Sequence, residues 1–229
     1  MKTIGLIGGM SWESTIPYYS IINEYYRDTL GGLHSARIIL YSVEFDEIEK
    51  CQANGDWEKS GVILGEAAKA LEKGGADFIL ICTNTMHKVY EQVKSYVNVP
   101  VIHIADATAD SLDKSGIKSV ALLGTKYTMK EEFYKQRLID RGLNVIIPND
   151  EDVELVNKVI FNELCLGKIL DDSRKEYSRI ISDLKNRGAE AVILGCTEIG
   201  LLIKEADSVL PIYDTTFIHA IRAAELSLE

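Results

Sequence analysis

The chain has 229 residues, 46% hydrophobic and 26% charged, which is enough for two packed domains and too apolar for disorder. Its formal net charge of -10 argues against a nucleic-acid partner, which asks for a basic face, and no apolar run approaches the roughly 18 residues of a membrane span. The four cysteines, Cys51, Cys82, Cys165 and Cys196, form no C-x-x-C pair and have no zinc-like histidine spacing, so they read as free thiols of a cytoplasmic protein without a metal site.

Residues 3–8 end in Gly8-Gly9 without a long apolar stretch and read as a first buried strand, not a signal segment. Further continuous apolar runs at 36–43, 78–82, 99–104, 119–124, 143–147, 191–195 and 209–213 suit strands of a parallel sheet buried on both faces. Helical patterns over 57–73, 127–141, 152–166 and 173–187 lie between them, and Gly74, Gly142 and Gly188 stand where helix C-caps belong. Tyr18, Tyr19, Tyr25 and Tyr26 cluster on an early helix, as core packing or as a subunit interface. The alternation is that of an α/β protein.

Three segments recur in the same order. Residues 75–83 (GADFILICT) match 188–196 (GAEAVILGC), an offset of 196 − 83 = 113. Residues 4–8 (IGLIG) match 120–124 (VALLG), with 124 − 8 = 116, and residues 99–102 (VPVI) echo 210–213 (LPIY), with 211 − 100 = 111. Such a repeat predicts two similar α/β halves facing each other, residues 1–104 and 105–214, each a three-layer α/β/α domain around a mostly parallel sheet. The final helix, 215–229, has no strand left to pair with in its own half and is expected to pack back on the first.

In open α/β sheets ligands bind beyond the carboxyl ends of the strands. Here those ends read Gly8-Gly9-Met10-Ser11, Cys82-Thr83-Asn84-Thr85-Met86-His87, Gly124-Thr125-Lys126 and Gly195-Cys196-Thr197-Glu198, each expected to open a loop or helix N-terminus whose free N–H groups favour a carboxylate. The Gly8-Gly9 turn lacks G-x-G-x-x-G, so no dinucleotide is assigned. The repeat makes Thr83 and Cys196 equivalent, and facing halves would set them on opposite sides of one cleft. That suits a reaction at a stereocentre, in which one group removes a proton from one face and another supplies one to the opposite face. Cys196 can be the base as a thiolate if helix N-terminal amides lower its pKa.

The runs around Thr83 and Cys196 resemble the paired motifs of the aspartate/glutamate racemase family, and residues 5–15 (GLIGGMSWEST) resemble the opening of its aspartate racemase branch. The resemblance spans essentially the whole chain. It implies a cofactor-independent, metal-free racemase of an acidic α-amino acid with the active site between two domains. Cys196 would act on the L-enantiomer and Thr83 opposite, with Met10, Gln52, Asn84, Thr85, Thr197 and Glu198 lining the substrate site of a homodimer. The family usually has a second cysteine where this chain has Thr83, and Cys82, one residue earlier, points to the other face of its strand. Lys126 is a candidate partner for a distal carboxylate, whereas a neutral Gln52 suits broader specificity. His87 either tunes the site or is structural, and Cys51, Cys82 and Cys165 read as packing residues. The alternatives are a broad-specificity racemase, a single-cysteine decarboxylase or isomerase of the same superfamily, such as arylmalonate decarboxylase, hydantoin racemase or maleate isomerase, and a non-catalytic ligand-binding relative.

Overall fold

All 229 residues are described by a computed structural model. The first part runs β1 (Ile4–Gly8), α1 (Trp12–Leu30), β2 (Ile38–Ser42), α2 (Phe45–Asn54), α3 (Trp57–Lys73), β3 (Phe78–Ile81), a 3-10 turn (Thr85–Val89), α4 (Tyr90–Lys94), β4 (Val101–Ile102) and α5 (Ile104–Lys114). The second runs β5 (Ser119–Gly124), α6 (Lys126–Lys130), α7 (Glu132–Asp140), β6 (Asn144–Ile146), α8 (Asp150–Asn162), a 3-10 turn (Leu164–Leu166), α9 (Asp171–Asn186), β7 (Ala191–Gly195), α10 (Ile199–Leu202), β8 (Ile212–Asp214) and α11 (Thr215–Leu228). No helix is long and apolar enough to cross a membrane.

Two compact units result, one of residues 1–104 with 219–229 and the other of residues 105–218. Their all-parallel sheets have the same strand order, β2-β1-β3-β4 and β6-β5-β7-β8. The sequence offsets carry one register onto the other. Ile4 pairs with Phe78; adding 116 and 113 gives Val120 and Ala191, which also pair. Ile79 pairs with Val101; adding 113 and 111 gives Val192 and Ile212, again a pair. The repeated Gly-Ala-acidic run has a physical basis. Asp77 accepts the Thr3 N–H at 2.6 Å, and its counterpart Glu190 accepts the Ser119 N–H at 2.8 Å, so each carboxylate satisfies the N–H entering the neighbouring strand. Gly75 and Gly188 both take the left-handed conformation, with φ of 95° and 98°.

Apolar side chains pack both faces of the first sheet. Leu6, Phe78 and Leu80 meet Tyr18, Ile22 and Tyr26 of α1 and Ala220, Ala223 and Ala224 of α11. Ile7, Ile79 and Ile81 meet Leu64, Ala67, Ala68 and Leu71 of α3. In the second unit Ala121, Leu123, Val192 and Leu194 pack with Val153, Val156, Tyr177 and Ile181 of α8 and α9.

Several boundaries differ from the sequence expectation. The pattern over 127–141 is two helices, because Glu131 is extended (φ -90°, ψ 158°) between α6 and α7. Gly74 caps α3 as expected, its N–H donating to the Ala70 carbonyl, but in the right-handed conformation, and the left-handed residue is the next one, Gly75. The run 99–104 pairs only at Val101–Ile102, and Ile104 already begins α5. The first turn of α11 stays with the second unit, where Thr215 Oγ1 donates to the Leu194 carbonyl and Asp214 accepts the Thr216 N–H.

Candidate active site

In the first unit the polar residues gather at the carboxyl ends of β1 and β3. Gly9 has φ 89°, and a Cβ there would lie 2.4 Å from the Val43 carbonyl oxygen, so only glycine lets the chain leave β1 this way. Thr15 locks that turn: its Oγ1 accepts the Gly9 N–H at 2.9 Å and donates to the Ser11 carbonyl at 2.8 Å. Met10 is buried among Ile7, Ile48 and Met86, and Gln52 of α2 donates from Nε2 to Met86 Sδ at 3.1 Å. Thr83, Asn84 and Thr85 are buried in sequence at the exit of β3. Cys82 packs on the α1 and α11 face of the sheet, and burial pushes its thiol well above the ordinary range.

His87 holds the Thr83 turn from behind. The Ile104 N–H donates to His87 Nε2 at 3.2 Å, so the ring proton is on Nδ1, which donates to the Thr83 carbonyl at 2.8 Å. His103 lies 4.3 Å and His219 6.1 Å from the His87 ring, centroid to centroid. His219 Nε2 donates to the Ile102 carbonyl at 3.1 Å, leaving Nδ1 to accept from the Tyr18 hydroxyl at 3.0 Å. Burial, then the neighbouring His87, push the His219 pKa down from 6.5 to about 3. The unfolded chain therefore binds a proton that the folded one refuses, and stability falls as pH drops from about 6.5 toward 3. We expect a loss on the order of 2 to 3 kcal/mol by pH 4.5 from this residue alone. Urea unfolding at pH 7 and 4.5 measures it: His219→Gln should lose markedly less stability between the two pH values than the native chain, and an equal loss would assign the acid sensitivity elsewhere.

In the second unit Cys196, Thr197 and Glu198 follow β7. Cys196 is 7% and Glu198 2% exposed. The Glu198 carboxylate collects three donors: Cys196 Sγ at 3.0 Å and Thr197 Oγ1 at 2.9 Å, both to Oε2, and Cys165 Sγ at 3.7 Å to Oε1. Burial first, and the Glu198 charge after it, push the Cys196 thiol well above its ordinary range. This corrects the expectation of a thiolate stabilised by a helix N-terminus. The helix that follows the Cys196 loop, α10, is a single turn of four residues, too short for a substantial dipole, and the thiol keeps its proton, directed at Glu198. Cys165 packs against the core of the second unit, as expected, and its thiol also reaches that carboxylate. Lys126 donates its N–H to Asn157 Oδ1, and its ammonium lies 5.6 Å from the Tyr127 ring centre. No three His, Cys, Asp or Glu side chains are grouped so as to hold a metal ion.

Two four-stranded parallel sheets of the same order, each ending in a buried threonine- or cysteine-bearing loop, define a repeated racemase-type fold. The sequence profile of the Asp/Glu/Hydantoin racemase family matches residues 7–223, and the chain belongs to that family. It is 26% identical over 216 residues to the broad specificity amino-acid racemase RacX of Bacillus subtilis, covering 93% of this chain and 92% of that protein. It is similar to the crystal structure of a Yersinia pestis protein provisionally described as an Asp/Glu racemase, with 52% identity over 100% of both chains and a TM-score of 0.92. An aspartate racemase homologue from Pyrococcus horikoshii shares 41% identity over 100% of both chains, with a TM-score of 0.86.

Proposed function

We propose that the protein racemises an acidic α-amino acid, aspartate or glutamate, without a cofactor, with Cys196 acting on the L-enantiomer and Thr83 serving the other face of the α-carbon. The observation that carries this reading is the buried Cys196–Glu198 pair, a thiol whose proton already has a carboxylate acceptor at 3.0 Å. On substrate binding Glu198 takes that proton, and the thiolate removes the α-proton. The Thr83 hydroxyl passes a proton to the opposite face and is itself reprotonated from water, while Glu198 releases its proton to the resulting hydroxide and the carboxylate is restored. Asn84, Thr85 and Thr197 supply donors for the α-carboxylate beside the two reacting residues, and buried donors of this kind stabilise a carbanion more than water does. Met10 and Gln52 sit close under that loop, Met10 and Met86 in one apolar cluster and Gln52 donating to Met86 Sδ. Incubation in deuterated water with a panel of amino acids tests the reading: deuterium should appear at the α-carbon of aspartate or glutamate together with loss of optical purity. Absence of exchange from every amino acid would make the chain a binding relative.

A broader substrate range is the second reading. It is favoured by the likeness to RacX over nearly the whole chain and by the neutral Gln52. Exchange from several neutral amino acids at rates comparable to aspartate would select it.

Thr83 makes the two directions unequal, because a hydroxyl is a far weaker acid than a thiol. Thr83→Cys should raise deuterium incorporation from the D-enantiomer by about 10-fold or more, a modest share of what a positioned acid-base group contributes. An unchanged D-side rate in a folded variant would remove Thr83 from the proton path.

A further inference from the structure

The repeat that relates the two units breaks just behind each reacting residue. The offset of 113 that carries Thr83 onto Cys196 carries His87 onto Gly200, and the offset of 111 carries His103 onto Asp214. In the first unit the place behind the loop holds an imidazole. In the second it holds a carboxylate that comes from the end of β8: a Cβ on Gly200 would lie 2.3 Å from Asp214 Oδ2. Asp214 Oδ1 accepts the Thr216 and Phe217 N–H groups at 2.8 and 3.3 Å, so these hydrogen bonds serve the start of α11.

His87, by contrast, binds the loop itself. It lies four residues after Thr83 and is 2% exposed. Its Nδ1 donates to the Thr83 carbonyl at 2.8 Å, and its Nε2 accepts the Ile104 N–H at 3.2 Å. Ile104 opens α5, and from Ala105 onward that helix belongs to the second unit. One ring thus ties the Thr83 peptide to the residue at which the chain leaves the first unit. Neighbouring rings hold the imidazole in place. Tyr90 lies nearly parallel to it, at 14° with centroids 6.2 Å apart, and His103 is 4.3 Å away. The Tyr90 hydroxyl is itself anchored, donating to the Val101 carbonyl at 2.8 Å. Thr83 stands two residues past the end of β3, so the sheet no longer fixes its peptide, and the imidazole sets the plane of its carbonyl.

We propose that His87 is a positioning residue for the Thr83 face alone, aiming the Thr83 hydroxyl at the second face of the α-carbon, while the Cys196 face works without such a brace. The inference rests on the reading of Thr83 as the proton donor to that face. The imidazole acts through the Thr83 peptide, not on substrate. Losing the Nδ1 bond frees a buried carbonyl to turn toward another donor, and the side chain of the same residue turns with it. A displacement of about 1 Å can cost about 100-fold in a positioned reaction, so a partial misalignment should cost about 10-fold or more.

L-aspartate and L-glutamate are incubated in deuterated water with the native chain and with His87→Ala, His87→Asn and His87→Gln. Two labelled products are counted: deuterated L-form, which needs only Cys196, and deuterated D-form, which needs Thr83 as well. Their ratio does not depend on how much of a variant folds. His87→Ala should lower the D-form made per L-form labelled by about 10-fold or more. The amide nitrogen of asparagine can stand where Nδ1 stands and donate to the Thr83 carbonyl, so His87→Asn should recover most of the ratio. Glutamine carries its amide one carbon further out, at the level of Nε2, and should not. Where His87→Ala yields no folded protein, the difference between the Asn and Gln variants decides alone. An unchanged ratio in His87→Ala, or equal ratios in the Asn and Gln variants, would overturn the proposal while leaving the racemase reading in place. No labelled product from the native chain would overturn both.

Discussion

Replacing Cys196 by alanine is expected to reduce α-proton exchange from L-aspartate or L-glutamate by about 10³-fold or more, the scale of a positioned acid-base or nucleophilic group. No other thiol can take its place. Cys82 is sealed in the first unit's core and held protonated by burial, and the Cys165 thiol is turned to the other oxygen of Glu198, at 3.7 Å. The fold should tolerate the change. Cys196 stands after β7, and losing one small buried group costs about 1 kcal/mol. The measurement is deuterium incorporation by mass spectrometry alongside a denaturation curve. Native-like exchange in the folded variant would take Cys196 out of the mechanism.

Glu198→Gln is expected to separate two effects of one carboxylate. Its charge helps hold the Cys196 proton in place, so the amide should lower the pH at which Cys196 is alkylated by iodoacetamide, read on the Cys196 peptide. Gln cannot accept the proton that leaves the thiol, so L-side exchange should fall by about 100-fold at neutral pH even though the thiol is intrinsically more acidic. A more reactive thiol in a slower enzyme is what distinguishes a proton acceptor from a residue that only packs the loop. If alkylation and exchange both rise, Glu198 merely suppresses the thiolate.

Much of the fold was readable because buried parallel strands are short apolar runs and the chain repeats them. The offset between Thr3-Asp77 and Ser119-Glu190 even preserves one hydrogen bond. The helix break at Glu131 was hidden because the residues on either side of it keep a helical pattern while the backbone alone departs from it. The histidines were unreadable for another reason. His219 is more than a hundred positions from His87 and His103, and it joins them only because residues 219–229 belong with the first unit. The site was legible as a pair of motifs, Thr83-Asn84-Thr85 and Cys196-Thr197-Glu198. Its proton inventory was not, since the state of the Cys196 thiol depends on burial and on three donors converging at Glu198. Cys165 reaches that carboxylate from the turn after α8, with nothing in its own neighbourhood to announce it.

The most direct test of the account is the initial rate of α-deuterium incorporation into L- and D-aspartate, and L- and D-glutamate, measured separately with the native enzyme before either pool is appreciably converted. A catalyst cannot shift the L/D equilibrium, so the inequality of Cys196 and Thr83 must appear in label exchange. Exchange from the L-form should exceed that from the D-form by at least about 10-fold, because the thiol formed on abstraction can swap its proton for a deuteron from solvent and return the L-form many times for each passage across. Equal initial exchange from both enantiomers would contradict the assignment of Cys196 and Thr83 to the two faces, and would require a second base as strong as the thiol.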